Sequence, residues 1–499
     1  MTIHLSIILF LPLATGVIGA LLPRGMARWA VLAGTVAVLA YAIVLLFDFD
    51  SGARGLQYVT DDEWIPELGI RYQLGIDGLN LFMVVLTAIS WVACTLVAAV
   101  REQERAKLFF FHMALAETAV LGAFLAQDLA LFIIFFDLML VPFYFLIGGW
   151  GTGDRVRATT KFVIYTLVGS LLMLGAAIAL GVLATPDGGE LSFSLAVLEE
   201  RSVPEGSQQW IVLLFALAFF VKAPLFPLHG WVPETYRSTS IPVLALLSAV
   251  LSKVGVYGFL RIVLPVMPEG SQHWQELFII VAVFSILYGS ILAFSQDNIR
   301  LVVAYSSIAQ LGFIVLGIFA LEDKGAQGAV FQMLNHGLVV VPLFLIIGVI
   351  ATRAGGSQSV EQLGGMAFRA PVLAALFLIT TFATLAMPGS ANFIGEILVL
   401  FGAFEDKLVY GLVASIGVVL ASVYMIRLFQ RTMHNRVGPK VRSSEIDGLH
   451  LAAIAPLVAV IVALGVYPNF VVERTERSTV DKIQAARALS TQAEVSVIK

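Results

Sequence analysis

The stretch FALAFFVKAPLFPLHGW, residues 215–231, ends an apolar run on a lysine, Lys222, and follows it at once with Pro224 and Pro227. A charge at the centre of a bilayer costs at least about 2.5–3.5 kcal/mol, so such a segment retains a cation only where it has a partner, a water-filled cavity or a task. Composition decides whether the segment lies in a membrane at all. Of 499 residues, 59% are hydrophobic and 13% charged, which no ordinary soluble domain matches. The chain therefore reads as an all-α polytopic membrane protein.

Outward from Lys222, apolar stretches near the length needed to span a bilayer fall at about 4–22, 27–47, 77–99, 107–126, 128–147, 159–183, 210–229, 242–262, 274–295, 300–320, 327–351, 371–404, 408–430 and 450–471. That gives about fourteen transmembrane helices, the twelfth long and interrupted. The first begins without a basic leader and reads as a retained helix, not a cleaved signal. Loops after odd-numbered helices carry roughly seventeen lysines and arginines, and loops after even-numbered ones roughly six, Arg261 among them. Odd loops are thus expected in the cytoplasm and both termini on the extracytoplasmic side of the cell's inner membrane. The tail from Arg474 suggests an interfacial helix or a mobile end.

Lys222 has company at depth. Lys253 lies in the eighth segment, Glu117 in the fourth, Asp137 midway along the fifth, His336 in the eleventh and Glu396 in the twelfth. One such group would pass as a structural ion pair; a set spread over six helices reads as a polar path through the bundle. Prolines give a second signal. KAPLFP at 222–227 in segment seven is answered by MPGSANFIGE at 387–396, with Pro388, in segment twelve. The breaks are five helices apart, and a unit with an odd number of helices repeats in inverted orientation. This predicts two inverted five-helix repeats, helices 4–8 and 9–13, with helices 7 and 12 broken beside an ion site. The chain then divides into N-terminal helices (1–106), a first repeat (107–265), a second, inverted repeat (266–432) and a last helix with its tail (433–499).

FVKAPLFPLHGWVPE, SKVGVYGFLR, DNIRLVVAYSSIAQLGF, QMLNHGL and LAMPGSANFIGEILVLFGAF together resemble the signatures of the antiporter-like membrane subunits of respiratory complex I. The likeness runs from about Leu74 to Tyr467, and the glutamate of FIGE favours the M branch of that family. The resemblance implies one proton channel, driven by quinone reduction in other subunits. It assigns proton translocation to Asp137, Lys222, Lys253, His336 and Glu396, and neighbours of types L and N. NADH, flavin, iron–sulfur clusters and quinone are then expected in partner subunits. Glu117 and Asp128 are candidates to pass a signal from the adjacent subunit, although Asp128 also reads as a solvated interface residue. His229 reads as an interfacial residue more than a relay.

Three departures from the family pattern stand out. Asp137 replaces the usual glutamate and is a methylene shorter, so its pair with Lys222 is expected to call for a bridging water. Gln310 stands where histidine is frequent, and an amide can hydrogen-bond but cannot carry a proton. PETY, with Glu234 and Tyr236, replaces PDAH. The prolines are expected to free backbone groups that hold water beside Lys222.

The same sequence excludes much. A formal charge of −4 argues against nucleic acid as a partner. The one cysteine, Cys94, cannot build a disulfide or a thiolate cluster within the chain, and no Gly-rich dinucleotide fingerprint appears. Bound cofactor and metal are therefore not expected, and redox chemistry is assigned to partners in a proton-translocating NADH:quinone oxidoreductase. Two alternatives remain open at this point. A subunit of a multisubunit Mrp-type cation/proton antiporter shares the fold and most of the residues. A stand-alone secondary transporter would suit the broken helices, but needs a solute-recognition site.

Overall fold

Apolar runs that prolines punctuate become helices that stop at those prolines. The computed structural model describes residues 4–442 and 444–498, with side chains to residue 490. Its helices are α1 (Leu5–Leu21), α2 (Arg24–Asp48), α3 (Gly78–Val100), α4 (Ala106–Leu125), α5 (Leu129–Trp150), α6 (Arg155–Leu183), α7 (Glu205–Lys222, resumed as Val232–Ser238) and α8 (Ile241–Val266). They continue as α9 (Pro268–Ser295), α10 (Ile299–Phe319), α11 (Asp323–Arg353), α12 (Pro371–Thr384, resumed as Ala391–Asp406), α13 (Leu408–Met433), α14 (Gly448–Val466) and α15 (Asn469–Ile498). Among the described residues, 11 are long and apolar enough to cross a membrane. The breaks in α7 and α12 fall where the prolines predict.

Burial sorts the bundle into layers. α8, α10 and α11 are buried along their whole apolar length, whereas α2 and α13 bury 33% and α14 28% of theirs, which makes these the lipid-facing rim. The buried three carry Lys253, Gln310 and His336. In lipid, helix packing gains nothing from hydrophobicity alone, so close approach of backbones matters. Gly255 of α8 shows it: a Cβ there would stand 2.7 Å from the Phe219 carbonyl oxygen of α7.

Two elements went unread in the sequence. A two-stranded antiparallel hairpin, β1 (Gln57–Ile65) and β2 (Ile70–Ile76), fills the connection between α2 and α3, with Arg71 pairing Asp61 at 2.7 Å. α5 is interrupted at Met139. Pro142 explains the interruption, since it has no N–H for the Leu138 carbonyl and its ring crowds that oxygen. The tail is the helix α15, laid across the starts of α3, α9 and α11. Ser478 Oγ accepts from Gly78 N at 3.0 Å, Gln272 Nε2 donates to the Leu489 carbonyl at 3.1 Å, and Arg487 pairs Glu322 at 2.9 Å. At the opposite ends, the connection from α3 to α4 and the starts of α2 and α4 line one cleft through Arg24, Arg28, Arg101, Arg105 and Lys107.

Two charges sit elsewhere than expected. Arg261 is no loop residue: it is buried inside α8, where it forks onto both oxygens of Asp77 at 2.7 and 2.8 Å. Asp128 is not solvated. It is fully buried, caps α5 by accepting from Leu131 N at 3.0 Å, and holds the hairpin through Arg71 N at 3.2 Å. Burial pushes its carboxyl up to about 6 against the lowering effect of those backbone bonds. Since the folded value lies above the unfolded one, the stabilising protonated form is complete below about pH 4 and is lost as pH rises through about 6. Asp128→Asn keeps an acceptor for the cap and removes the buried charge, but it turns an N–H toward Arg71 N and gives up that bond to the hairpin. The thermal midpoint of the complex relative to wild type is therefore expected to be lowest near pH 4 and to rise toward neutral pH. A difference that does not vary with pH would show that this charge is not the cause.

Candidate functional site

Lys222 is the last residue of the first half of α7, and its side chain is 2% exposed. Its Nζ donates to the Phe136 carbonyl at 3.2 Å and lies 4.3 Å from the centre of the Phe136 ring. Asp137 follows next in the chain, within electrostatic reach, but makes no direct ion pair with the lysine; one of its oxygens accepts from Ser170 of α6. Protein donors take some of the carbonyls at the break. Pro224 has no N–H for Phe220 O, which accepts from Leu225 N at 3.0 Å instead, and Val221 O accepts from the Trp231 indole at 3.0 Å. What remains polar beside Phe136 and Asp137 is the ammonium.

Lys253 sits in α8 between two π-helical stretches, Leu247–Leu251 and Phe259–Val263, a distortion that frequently accompanies functional sites. The widened turn lets Nζ reach the Ser248 carbonyl at 2.8 Å and Ser252 Oγ at 3.3 Å. Its third bond crosses to α11, 2.9 Å to His336 Nδ1. When Lys253 carries its proton it only donates, so Nδ1 is then the acceptor and Nε2 bears the ring proton, facing Ser307 Oγ at 3.3 Å. Ser307 in turn meets Ser248 Oγ at 3.3 Å, which closes a ring of buried polar groups from three helices.

Glu396 occupies the second half of α12. Its Oε1 accepts from Gln310 Nε2 at 2.7 Å, and Gln310 Oε1 accepts from Gln332 Nε2 at 2.6 Å. Gln332 comes this close because Gly395 has no side chain, where a Cβ would lie 2.3 Å from the Gln332 amide oxygen. Glu396 Oε2 is buried and has no hydrogen-bond partner. Among the described residues no cluster of three His, Cys, Asp or Glu side chains is placed to hold a metal ion.

A family model described as NADH:quinone oxidoreductase/Mrp antiporter, transmembrane, matches residues 126–421. NADH-quinone oxidoreductase subunit M of Rhodobacter capsulatus is 36% identical over 496 residues, 96% of each chain. The chain belongs to the subunit M family. The subunit M of Mycobacterium tuberculosis is 36% identical, over 94% of this chain and 92% of that one. A chain of respiratory complex I from Thermus thermophilus superposes with a TM-score of 0.89 at 30% identity, over 97% of this chain and all of that one. A chain of the Mrp complex from Dietzia shares the fold, with a TM-score of 0.85 at 21% identity over 98% of this chain and 100% of that one.

Within this subunit M-family chain the structure groups the residues read from sequence unevenly. It brings Lys253 to His336 and Gln310 to Glu396. No hydrogen bond among the described residues joins Lys222 to Lys253 or His336 to Glu396. Glu117 in α4 is fully buried with neither carboxylate oxygen hydrogen-bonded. His229 is buried among rings, stacked on Phe226 with centroids 5.9 Å apart and edge-on to Tyr288 at 5.1 Å. Glu234 of PETY pairs with Lys161 and anchors the second half of α7 to α6. Gln332 and Ser307 were missed, although both lie inside the motifs QMLNHGL and DNIRLVVAYSSIAQLGF. Gln332 stands one helical turn before His336, a spacing that puts both on one face of α11.

Proposed function

We propose that this antiporter-like subunit of the complex I membrane arm translocates protons through the buried series Asp137, Lys222, Lys253, His336 and Glu396. The observation that carries this reading is the Lys253–His336 bond, a lysine amine held by an imidazole in the wholly buried core of the bundle. A purely structural cation in such a place would be met by a carboxylate, as Arg261 is by Asp77; Lys253 is met by a second side chain that can take up and release a proton. The separation of Lys222 from Asp137 fits a switch. At about 4 Å and an effective dielectric near 20, such a pair attracts by about 4 kcal/mol. Bringing the carboxylate to the ammonium would hold its proton, and drawing it back onto Ser170, as here, would release it toward Lys253.

On this reading the chain is a non-redox part of a proton-translocating NADH:quinone oxidoreductase. NADH, flavin, iron–sulfur clusters and quinone stay in partner subunits. Subunits L and N flank it in the cell's inner membrane, both termini are extracytoplasmic, and residues 107–265 and 266–432 form the two inverted units. An Mrp-type antiporter shares only the fold at 21% identity, whereas the relatives above 30% identity carry the subunit M name. A stand-alone solute transporter has no recognition site here to favour it.

The test is Lys253→Met in the assembled complex. Methionine fills the volume of the lysine stem and holds no proton. Proton uptake by inverted membrane vesicles during NADH oxidation is expected to fall to less than about a tenth, the equivalent of more than about 1.4 kcal/mol. Uptake at wild-type level in complexes of normal composition would refute a path through Lys253.

A further inference from the structure

The sequence leaves a gap between His336 and Glu396, and the structure fills it with two amides. Glu396, Gln310 and Gln332 are 3%, 1% and 0% exposed, so bulk solvent does not reach them. A carboxylate only accepts, which fixes the Gln310 amide with its nitrogen toward Glu396 and its oxygen away. That oxygen must then find a donor, and Gln332 Nε2 provides it at 2.6 Å. The two bonds thus form a chain with one direction, set at one end by the charge on Glu396. Gln332 Oε1, at the far end, has no partner.

We propose that Gln310 and Gln332 are positioning residues that clamp Glu396 Oε1 as an ionised acceptor and leave Oε2 as the atom that exchanges the proton. This inference rests on the proposed proton path and adds to it a closed side and an open side at the last carboxylate. An amide neither takes up nor releases a proton in this range, so the two glutamines bar direct transfer from the His336 face while linking it to Glu396 electrostatically. The other oxygen faces a different environment. Asn392, one turn earlier on the same helix face, is fully buried with both amide atoms unpartnered. Ser390 Oγ at the break in α12 and Thr381 Oγ1 before it are likewise buried and unpartnered. These polar atoms suit a hydrated exit beside Oε2. Of the helices packed on this half of α12, α13 presents Tyr424 to Glu396, α11 presents Gln332 and, a turn on, His336, α10 presents Gln310, and the apolar span of α14 presents no titratable side chain.

Carbodiimide labelling of Glu396, read by mass spectrometry of the intact complex, measures the protonated fraction, because the reagent adds across its C=N bond only a carboxylic acid. Gln310→Met removes the clamp at nearly constant volume and is expected to speed labelling of Glu396 about tenfold, the size of one lost charge-assisted hydrogen bond. Gln332→Met frees the Gln310 amide to turn and is expected to act in the same direction, severalfold. Gln310→His keeps an N–H donor and should label as wild type. Unchanged labelling in both methionine variants would overturn the clamp, and an effect of Gln310→Met alone would remove Gln332 from it. Should either methionine variant fail to assemble, the corresponding Gln→Leu complex gives the same reading. Labelling does not depend on pumping, so failure of the Lys253 test would leave this measurement intact.

Discussion

Lys222→Ala is expected to abolish quinone-linked NADH oxidation and proton uptake together, each to below about a tenth of wild type, in membranes where the complex assembles normally. The side chain is buried, its nitrogen is bonded to the Phe136 carbonyl, and Asp137 is the carboxylate whose field reaches it. Alanine leaves no group that can hold a proton beside Asp137, and a carboxylate without its counter-charge has every reason to protonate and stay so. Lys222→Arg separates a proton-handling role from a structural one. Arginine keeps a cation beside Phe136 and Asp137 but does not release its proton in this pH range. An activity as low as that of the alanine variant is expected, whereas a structural cation would tolerate arginine. Normal pumping in Lys222→Arg would therefore remove Lys222 from the proton path.

A second large effect is expected at a pair that handles no protons. Arg261→Met should prevent the subunit from accumulating in the membrane. The Arg261 and Asp77 side chains are 2% and 7% exposed, and the arginine also donates through Nε to Tyr257 at 2.7 Å. Removing one partner strands a buried carboxylate, which costs about 3–5 kcal/mol, a large share of a membrane subunit's stability. Asp77 is simultaneously the N-cap of α3, accepting from Leu79 N at 3.0 Å. Arg261→Met with Asp77→Asn removes both charges and retains a capping oxygen, so the double variant should recover most of the accumulated protein. Equal amounts of subunit in all three membranes would show that the ion pair is dispensable.

The line of ionisable groups was legible residue by residue because each violates the cost of placing a charge in hydrocarbon. Its connections were only partly so. Asp137 and Lys222 read as a pair, yet α5 and α7 meet so that the lysine faces the Phe136 carbonyl and the aspartate faces Ser170. His336 and Lys253 read as separate stations and turn out to be bonded, through a π-helical distortion that no local pattern announces. Gln310 was seen as a lost proton carrier; its amide is instead half of a clamp whose other half, Gln332, drew no notice as an uncharged residue in an apolar helix. Arg261 was placed in a loop because it lies near the end of its apolar run, where arginines usually reach water.

What the sequence by itself determined is the membrane class, the placing of the helices, the two breaks and the buried charges that lie midway along apolar runs, though not Arg261 or Asp128 at their ends. Each of these is set by transfer free energies and by missing proline N–H groups, which belong to a residue and its near neighbours. What only the tertiary structure decided is which partner each charge has. Arg261 and Asp77 are 184 positions apart, and Gln310 and Glu396 are 86 apart. Whether such residues touch depends on how each helix is rotated about its axis and how closely glycines such as Gly255 and Gly395 let the backbones approach. Rotation and approach are properties of the packed bundle, and no single helix contains them.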